Sequence, residues 1–63
     1  MELSYIIEWA DDSRLCFFKT DEEAITYAEN NYVGSIRILK STYYEDQLAS
    51  GFYWSVIWED IVF

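Results

Sequence analysis

Hydrophobic and polar residues alternate with a period of two over most of this 63-residue chain. A period of two places successive side chains on opposite faces of a β-strand. Four segments alternate in this way and are predicted to be strands: 3–9, 14–19, 35–43 and 52–59. Short polar residues at 10–13 favour a turn, so the first two strands should form a hairpin.

The segment 20–31 breaks the alternation and predicts the one helix, of about three turns. Thr20 can accept a hydrogen bond from the Glu23 N–H while the Glu23 side chain reaches back to the Thr20 N–H, which is the reciprocal capping box. One stripe of the helix should be buried: Ala24, Ile25, Ala28 and Tyr32. The opposite stripe should face solvent: Glu22, Thr26, Glu29 and Asn30. Gly34 marks the turn after the helix.

Between the last two strands, 44–51 is predicted to be a connection of about eight residues, with room for one helical turn ended by a left-handed Gly51. In the fourth strand, Phe52, Trp54, Val56 and Trp58 should share one face. The order ββαββ predicts a single α+β domain over 1–63, in which one helix packs on one face of a four-stranded antiparallel sheet. The strand order stays open.

One helix leaves the second sheet face uncovered. That face should carry a mixture of residues, or their opposite numbers if the faces are reversed: Ile6, Phe18, Leu39, Tyr53 and Ile57. A half-apolar open face of this kind usually meets a partner or another copy of itself, so a homodimer is possible.

The charge is strongly one-sided, with twelve acidic against four basic residues, a net charge of −8 and a pI near 4.1. Such a field disfavours direct binding of nucleic acid or an anionic membrane and favours a basic protein partner. A net charge of about 2–8 in magnitude also serves solubility alone. The chain has thirteen aromatic residues, more than one small core can hide, which predicts that some rings lie on a binding surface.

The residues offer little for catalysis. The chain has no histidine, which excludes Ser-His and Cys-His pairs. The lone Cys16, two residues from Arg14, is interpreted as a small buried hydrophobe. Asp11-Asp12-Ser13 lacks the glycine and distal glutamate of a calcium loop. No catalytic residue, metal or cofactor is therefore predicted. The single cysteine and the lack of an apolar run of about 18 residues predict a cytoplasmic protein.

Adjacent carboxylates and clustered aromatic residues are the strongest candidates for partner binding. Carboxylates on a rigid scaffold can stand in for nucleic-acid phosphates, and aromatic residues can anchor the dry centre of a contact. The candidate partner-binding residues are Asp11, Asp12, Glu22, Glu29, Tyr43, Tyr44, Glu45, Asp46, Tyr53, Trp54, Glu59 and Asp60.

In size, acidity, aromatic content and lone-helix layout the chain resembles small acidic phage-encoded inhibitors of bacterial defence, the anti-CRISPR proteins and DNA mimics. The resemblance rests on these general properties, so no residue role is transferred. It implies a non-catalytic inhibitor in the bacterial host cytoplasm. The implied partner is a basic nucleic-acid-binding protein or CRISPR effector subunit, whose binding of target DNA is blocked. Two alternatives are an immunity protein or antitoxin that covers a basic nuclease, and a homodimeric assembly module.

Overall fold

The computed structural model describes residues 2–61. Its elements follow the predicted order: β1 Leu3–Trp9, β2 Asp12–Phe18, α1 Asp21–Asn31, β3 Ile36–Glu45 and β4 Ser50–Asp60. The strands form one antiparallel sheet in the order β2-β1-β3-β4. The predicted α+β class and ββαββ layout are confirmed, and the strand order makes β2 and β4 the two edges.

The β1–β2 hairpin turns more tightly than predicted. Trp9 pairs with Asp12, so the turn consists of Ala10 and Asp11 alone, and β2 begins two residues before the predicted Arg14. Ala10 has φ +54°, the left-handed region in which glycine is favoured. The tight turn brings Asp12 into the sheet.

Helix α1 begins and ends where its signals indicate. The Thr20 hydroxyl oxygen accepts the Glu23 N–H at 3.2 Å, as predicted. The Glu23 carboxylate, however, accepts the Lys19 N–H at 3.2 Å, so the reciprocal bond predicted to Thr20 is wrong by one residue. Gly34, with φ +107°, makes the exit turn.

The core lies between the helix and the centre of the sheet. Tyr5, Ile7 and Ile38 are fully buried, and they pack with Ile36 and the helical alanines Ala24 and Ala28. The small alanine side chains let the helix approach the sheet closely. Phe18 lies on this covered face, with its ring 5.9 Å from that of Tyr5 and 5.4 Å from that of Tyr27. Its expected position on the uncovered face is therefore wrong.

The β3–β4 hairpin extends beyond the rest of the sheet. The β1–β3 ladder ends at the Tyr5–Lys40 pair, whereas the β3–β4 ladder continues to Glu45–Ser50. We call residues 41–54 the arm and the remaining described residues the body. The predicted eight-residue connection is wrong: the loop is only 46–49, and Gly51 lies in β4 without a positive φ. Aromatic residues favour strands, and cross-strand ring pairs extend the ladder.

Strand β4 contains a β-bulge that changes the facing of its side chains. Ile38 pairs with Trp58 but Leu39 pairs with Val56, which leaves Ile57 as the extra residue. Trp58 therefore turns to the helix-covered face and packs against the core, together with Ile57. The predicted common face of Phe52, Trp54, Val56 and Trp58 is wrong at Trp58, because one inserted residue reverses the alternation.

The Cα atoms span 42 × 26 × 16 Å, so the arm makes the molecule elongated. Among residues 2–61, no helix has the length and apolar character needed to cross a membrane.

Candidate interaction surfaces

Two groups of predicted carboxylates, one at the β1–β2 turn and one near the end of β4, lie at the same end of the sheet. The row Asp12–Trp9–Ile36–Asp60 crosses all four strands, so Asp12 and Asp60 lie on opposite edges. Three strand spacings separate them by about 14 Å. The neighbouring Asp11 and Glu59 are exposed as well. We call Asp11, Asp12, Glu59 and Asp60 the far-end acids.

Two further predicted carboxylates lie on the helix. Glu22 and Glu29 are both exposed on the solvent-facing side of α1, separated by about 10 Å along its axis. They lie on the side of the sheet opposite to the uncovered face. The far-end acids and the helix acids therefore form separate surfaces.

The arm carries the remaining predicted residues. Glu45 and Asp46 stand at its tip, at the end of the molecule opposite to the far-end acids. The tip is held in a tight loop by the Asp46 N–H donating to the Ala49 carbonyl at 2.7 Å. The rings of Tyr43 and Phe52 pack 5.1 Å apart.

A second ring pair lies on the other face of the arm, where Tyr44 packs 5.9 Å from Tyr53. The Tyr44 ring also lies over Gly51, its cross-strand partner. Trp54 remains 44% exposed, on the same face as the Tyr43–Phe52 pair. The structure thus brings aromatic and acidic residues together on the arm, while the twelve candidate residues divide among the arm, the helix and the far end.

Few of the carboxylates are neutralised. Arg37 pairs with Glu8 at 2.7 Å, and Lys40 pairs with Asp21 at 3.1 Å. The other acidic residues, all within residues 2–61, have no ion pair at a basic side chain of that part of the chain: Glu2, Asp11, Asp12, Glu22, Glu23, Glu29, Glu45, Asp46, Glu59 and Asp60. Most of the negative charge is therefore available to a partner.

Asp21 has a structural role that the sequence pattern does not reveal. Its carboxylate accepts the Tyr5 hydroxyl at 2.6 Å and contacts Lys40. The Tyr5 hydrogen bond, followed by Lys40, lowers the pKa of Asp21. Burial, followed by the bond to Asp21, raises the pKa of Tyr5. This contact joins β1, α1 and β3, and Asp21 serves the fold as well as the helix dipole.

The described residues include one cysteine and several surface depressions. Cys16 is half-buried, and burial raises the pKa of its thiol, against a smaller opposing effect of Arg14. Within the described residues, no group of three potential ligands is placed to hold a metal ion. The depressions on the surface are shallow and open, such as one of ≈ 220 Å³ between Glu8, Arg37 and Glu59.

The face of the sheet away from the helix is the surface that sequence reasoning placed least well. One apolar row crosses all four strands on this face: Leu15–Ile6–Leu39–Val56. Adjacent positions on the same face add Phe17, Trp54, Tyr43 and Phe52. We call these eight residues the apolar face. Of the residues expected there, Ile6 and Leu39 are present, whereas Phe18, Tyr53 and Ile57 lie on the helix side.

Comparison with known proteins gives this chain no relative: no family model, no curated protein and no solved structure matches it.

Proposed function

We propose that this protein is a non-catalytic protein ligand that occupies a basic, nucleic-acid-binding surface of its partner and thereby blocks nucleic acid. The observation that carries the proposal is the excess of carboxylates that form no ion pair with a basic side chain among residues 2–61. An inhibitor of a bacterial defence complex, of the anti-CRISPR type, fits this mode of action.

The placement of the carboxylates supports binding in a groove. They stand at both ends of a molecule 42 Å long and along the exposed side of its helix. The scaffold between them is a hydrogen-bonded sheet, so the charges keep fixed spacings. Fixed negative charges attract arginine- and lysine-lined surfaces and raise the association rate at low ionic strength.

The arm supplies a candidate for the central contact. Tyr43, Tyr53 and Trp54 are each about half exposed and lie on the same arm as Glu45 and Asp46. Binding hot spots are enriched in tyrosine and tryptophan. If Trp54 anchors the partner, Trp54→Ala should weaken binding by at least about 2 kcal/mol. Because Trp54 lies on the uncovered face, this change should leave the folded core intact, as a melting curve would verify.

The proposal is tested by capture of a partner and charge reversal. Immobilised protein is incubated with bacterial lysate at low salt, and retained proteins are eluted with salt and identified. The association rate is then measured for Glu45→Lys/Asp46→Lys, and the partner's nucleic acid is offered in competition. We expect the rate to fall at least tenfold at low salt and the nucleic acid to be displaced.

Gln47→Lys is the control for an added lysine, because it places one positive charge in the same loop and leaves both acids in place. Equivalent double reversals at Asp11 and Asp12, and at Glu22 and Glu29, locate the surface that the partner uses. Retention of no basic protein would reject the proposal. Capture of a nuclease whose active site is covered would assign the protein to the immunity or antitoxin class instead.

A further inference from the structure

We infer that a second copy of this chain covers the apolar face, with the ends of the two molecules exchanged, so that the arm of each copy lies on the four-strand body of the other. This inference concerns the face opposite to the helix, and it shares Tyr43, Trp54 and Glu45 with the candidate partner contact on the arm.

The first argument is exposure. Phe52 is 71% exposed, Leu15 57% and Phe17 54%, and all three belong to the apolar face. Strand pairing places these side chains beside further apolar groups, so they form one continuous surface and not isolated contacts. Contiguous apolar surface of this kind usually marks an interaction site.

The second argument is the arm's lack of support. Within residues 2–61, no third strand pairs with the two strands of the arm, and none of the arm's residues is buried. An isolated two-stranded hairpin is marginally stable at best in water, and packing against another layer is what stabilises it. The body of a second copy offers such a layer, because its apolar row is four strands wide.

The area is sufficient for a dimer. Taking about 150–250 Å² for each fully exposed aromatic side chain, the half-exposed rings with Leu15 and Val56 present about 600 Å² per copy. Two copies would bury about 1,200 Å², the lower limit of stable interfaces. We therefore expect a dimer with a dissociation constant in the micromolar range.

The distribution of charge on this face allows a second copy to dock and favours exchanged ends. The middle of the apolar face has no ionised side chain, although the chain carries a net charge of −8. Among the strand residues on this side of the sheet, the charged ones lie at its ends: the Glu8–Arg37 pair with Glu59 at one, and Glu45 at the other. Exchanging the ends brings Arg37 towards Glu45 of the second copy, with Glu8 and Glu59 at the same end, whereas aligned ends would place Glu45 against Glu45 and Arg37 against Arg37.

Sedimentation tests whether the dimer forms. Wild-type protein is examined up to about 1 mM, at about 0.15 M and about 1 M salt. We expect twice the 7.5 kDa chain mass, with tighter association at high salt because the two copies carry like charge. A wild-type protein that remains monomeric at the highest concentration and salt would overturn the inference.

A matched pair of substitutions tests the face. Val56→Lys places a charge in the apolar row, whereas Val33→Lys makes the same change at a position 88% exposed outside it. We expect Val56→Lys to weaken the dimer at least a hundredfold and Val33→Lys by less than threefold. Equal effects would assign the dimer to another surface and refute the inference.

Phe52→Lys, matched with Leu48→Lys in the loop, replaces the Val56 variant if circular dichroism shows that the latter does not fold. Phe52 is highly exposed and outside the core, so the monomer should tolerate this change.

A distance measurement tests the orientation. A spin label is attached at Ser50→Cys, the exposed cross-strand partner of Glu45, in a Cys16→Ala background, so that Glu45 is kept. With the ends exchanged around Ser41, each label lies about 13 Å from the axis along the strand, so two labels should be more than about 25 Å apart. Aligned ends would place them about 10–15 Å apart and refute the orientation.

The salt response separates this inference from the proposed function. The homodimer should tighten as salt screens repulsion, and a complex with a basic partner should loosen. If the protein forms the dimer but binds no basic partner, the inference stands and the proposed function is rejected. If the protein stays monomeric but forms a complex with a basic partner that salt weakens, the proposed function stands and the inference is rejected.

Discussion

The body and the arm share two strands, β3 and β4, but differ in what covers them. In the body, Ile36 and Ile38 lie under the helix and are almost completely buried. In the arm, Tyr43, Tyr44 and Phe52 are each more than 40% exposed, although aromatic side chains have more apolar surface to bury. The comparison shows that position relative to the helix, and not hydrophobicity, decides which residues of these strands form the core.

The two parts are also held together differently. The body combines helix packing with the polar contact from Tyr5 to Asp21 and on to Lys40. The arm relies on its ladder and two ring pairs, and a hydrogen bond of 2.8 Å between the hydroxyls of Thr42 and Ser55 joins it to the body. A stable body with a less stable arm is the expected consequence.

The largest expected difference between body and arm is in how much a substitution lowers the unfolding free energy. Ile38→Ala should destabilise the protein by about 2–5 kcal/mol, because it leaves a cavity beneath the helix. Small domains of this size have only about 3–5 kcal/mol to lose. Phe52→Ala, in the exposed part of the arm, should change the unfolding free energy by less than about 1 kcal/mol. Urea unfolding at low protein concentration measures both, and equal losses would show that the arm belongs to the cooperative core.

Hydrogen exchange sharpens the same contrast residue by residue. At low concentration, amides of residues 41–45 should open at least about 2 kcal/mol more easily than those of Tyr5 to Ile7, since the arm has few buried contacts. If a second copy covers the arm, the protection of the arm's amides from exchange should rise with protein concentration. Uniform protection at all concentrations would contradict both expectations.

Acid sensitivity should separate Asp21 from the other carboxylates. The pKa of Asp21 is lowered in the folded protein. Asp21 therefore stabilises the fold at pH values above its unfolded pKa of about 3.9, and this stabilisation is lost as the pH falls below that value. Asp21→Asn should remove about 1 kcal/mol at neutral pH, since the side chain is partly exposed. The difference from wild type should vanish in acid.

Glu29→Gln is the control for this measurement, because it removes a charge from the exposed side of the same helix. It should change stability by less than about 0.5 kcal/mol at any pH. If Asp21→Asn lowers the unfolding free energy by the same amount at every pH, the contact with Tyr5 does not depend on ionisation of the Asp21 carboxyl.

The smallest effect is expected at the β1–β2 turn. Ala10 adopts φ +54°, so Ala10→Gly should relieve strain and raise the unfolding free energy by about 0.5 kcal/mol, after the entropic loss of the added glycine. Thermal unfolding would detect it as a small rise in the midpoint. A fall would show that the turn tolerates alanine without strain.

The sequence predicted those elements whose signals are local. The boundaries of β1, the Thr20 cap and the buried stripe at Ala24 and Ala28 agree with the structure because alternation and capping depend on neighbouring residues. The strand order and the bulge at Ile57 depend on pairing between distant strands, which no local pattern encodes. The apolar face was misassigned for the same reason, and the Tyr5–Asp21 contact joins residues sixteen positions apart.

The candidate site residues show the same difference between what a local pattern predicts and what depends on pairing between distant strands. Acidic pairs at turns and ends were visible in the sequence because polar residues gather where the chain reverses. Their separation into far-end, helix and arm-tip groups required the fold, since Asp12 and Asp60 lie on one row, at opposite edges of the sheet, only when β1 lies between β2 and β3.

The bulge at Ile57 has a consequence for self-association by strand addition. β4 is an edge strand that carries no charged residue from Ser50 to Trp58, and such an edge is a template for fibre growth. The inserted residue kinks this edge strand and shifts the pairing register between its two halves. An incoming strand can therefore follow only one half in register, which restrains polymerisation in a protein that exposes so much apolar surface.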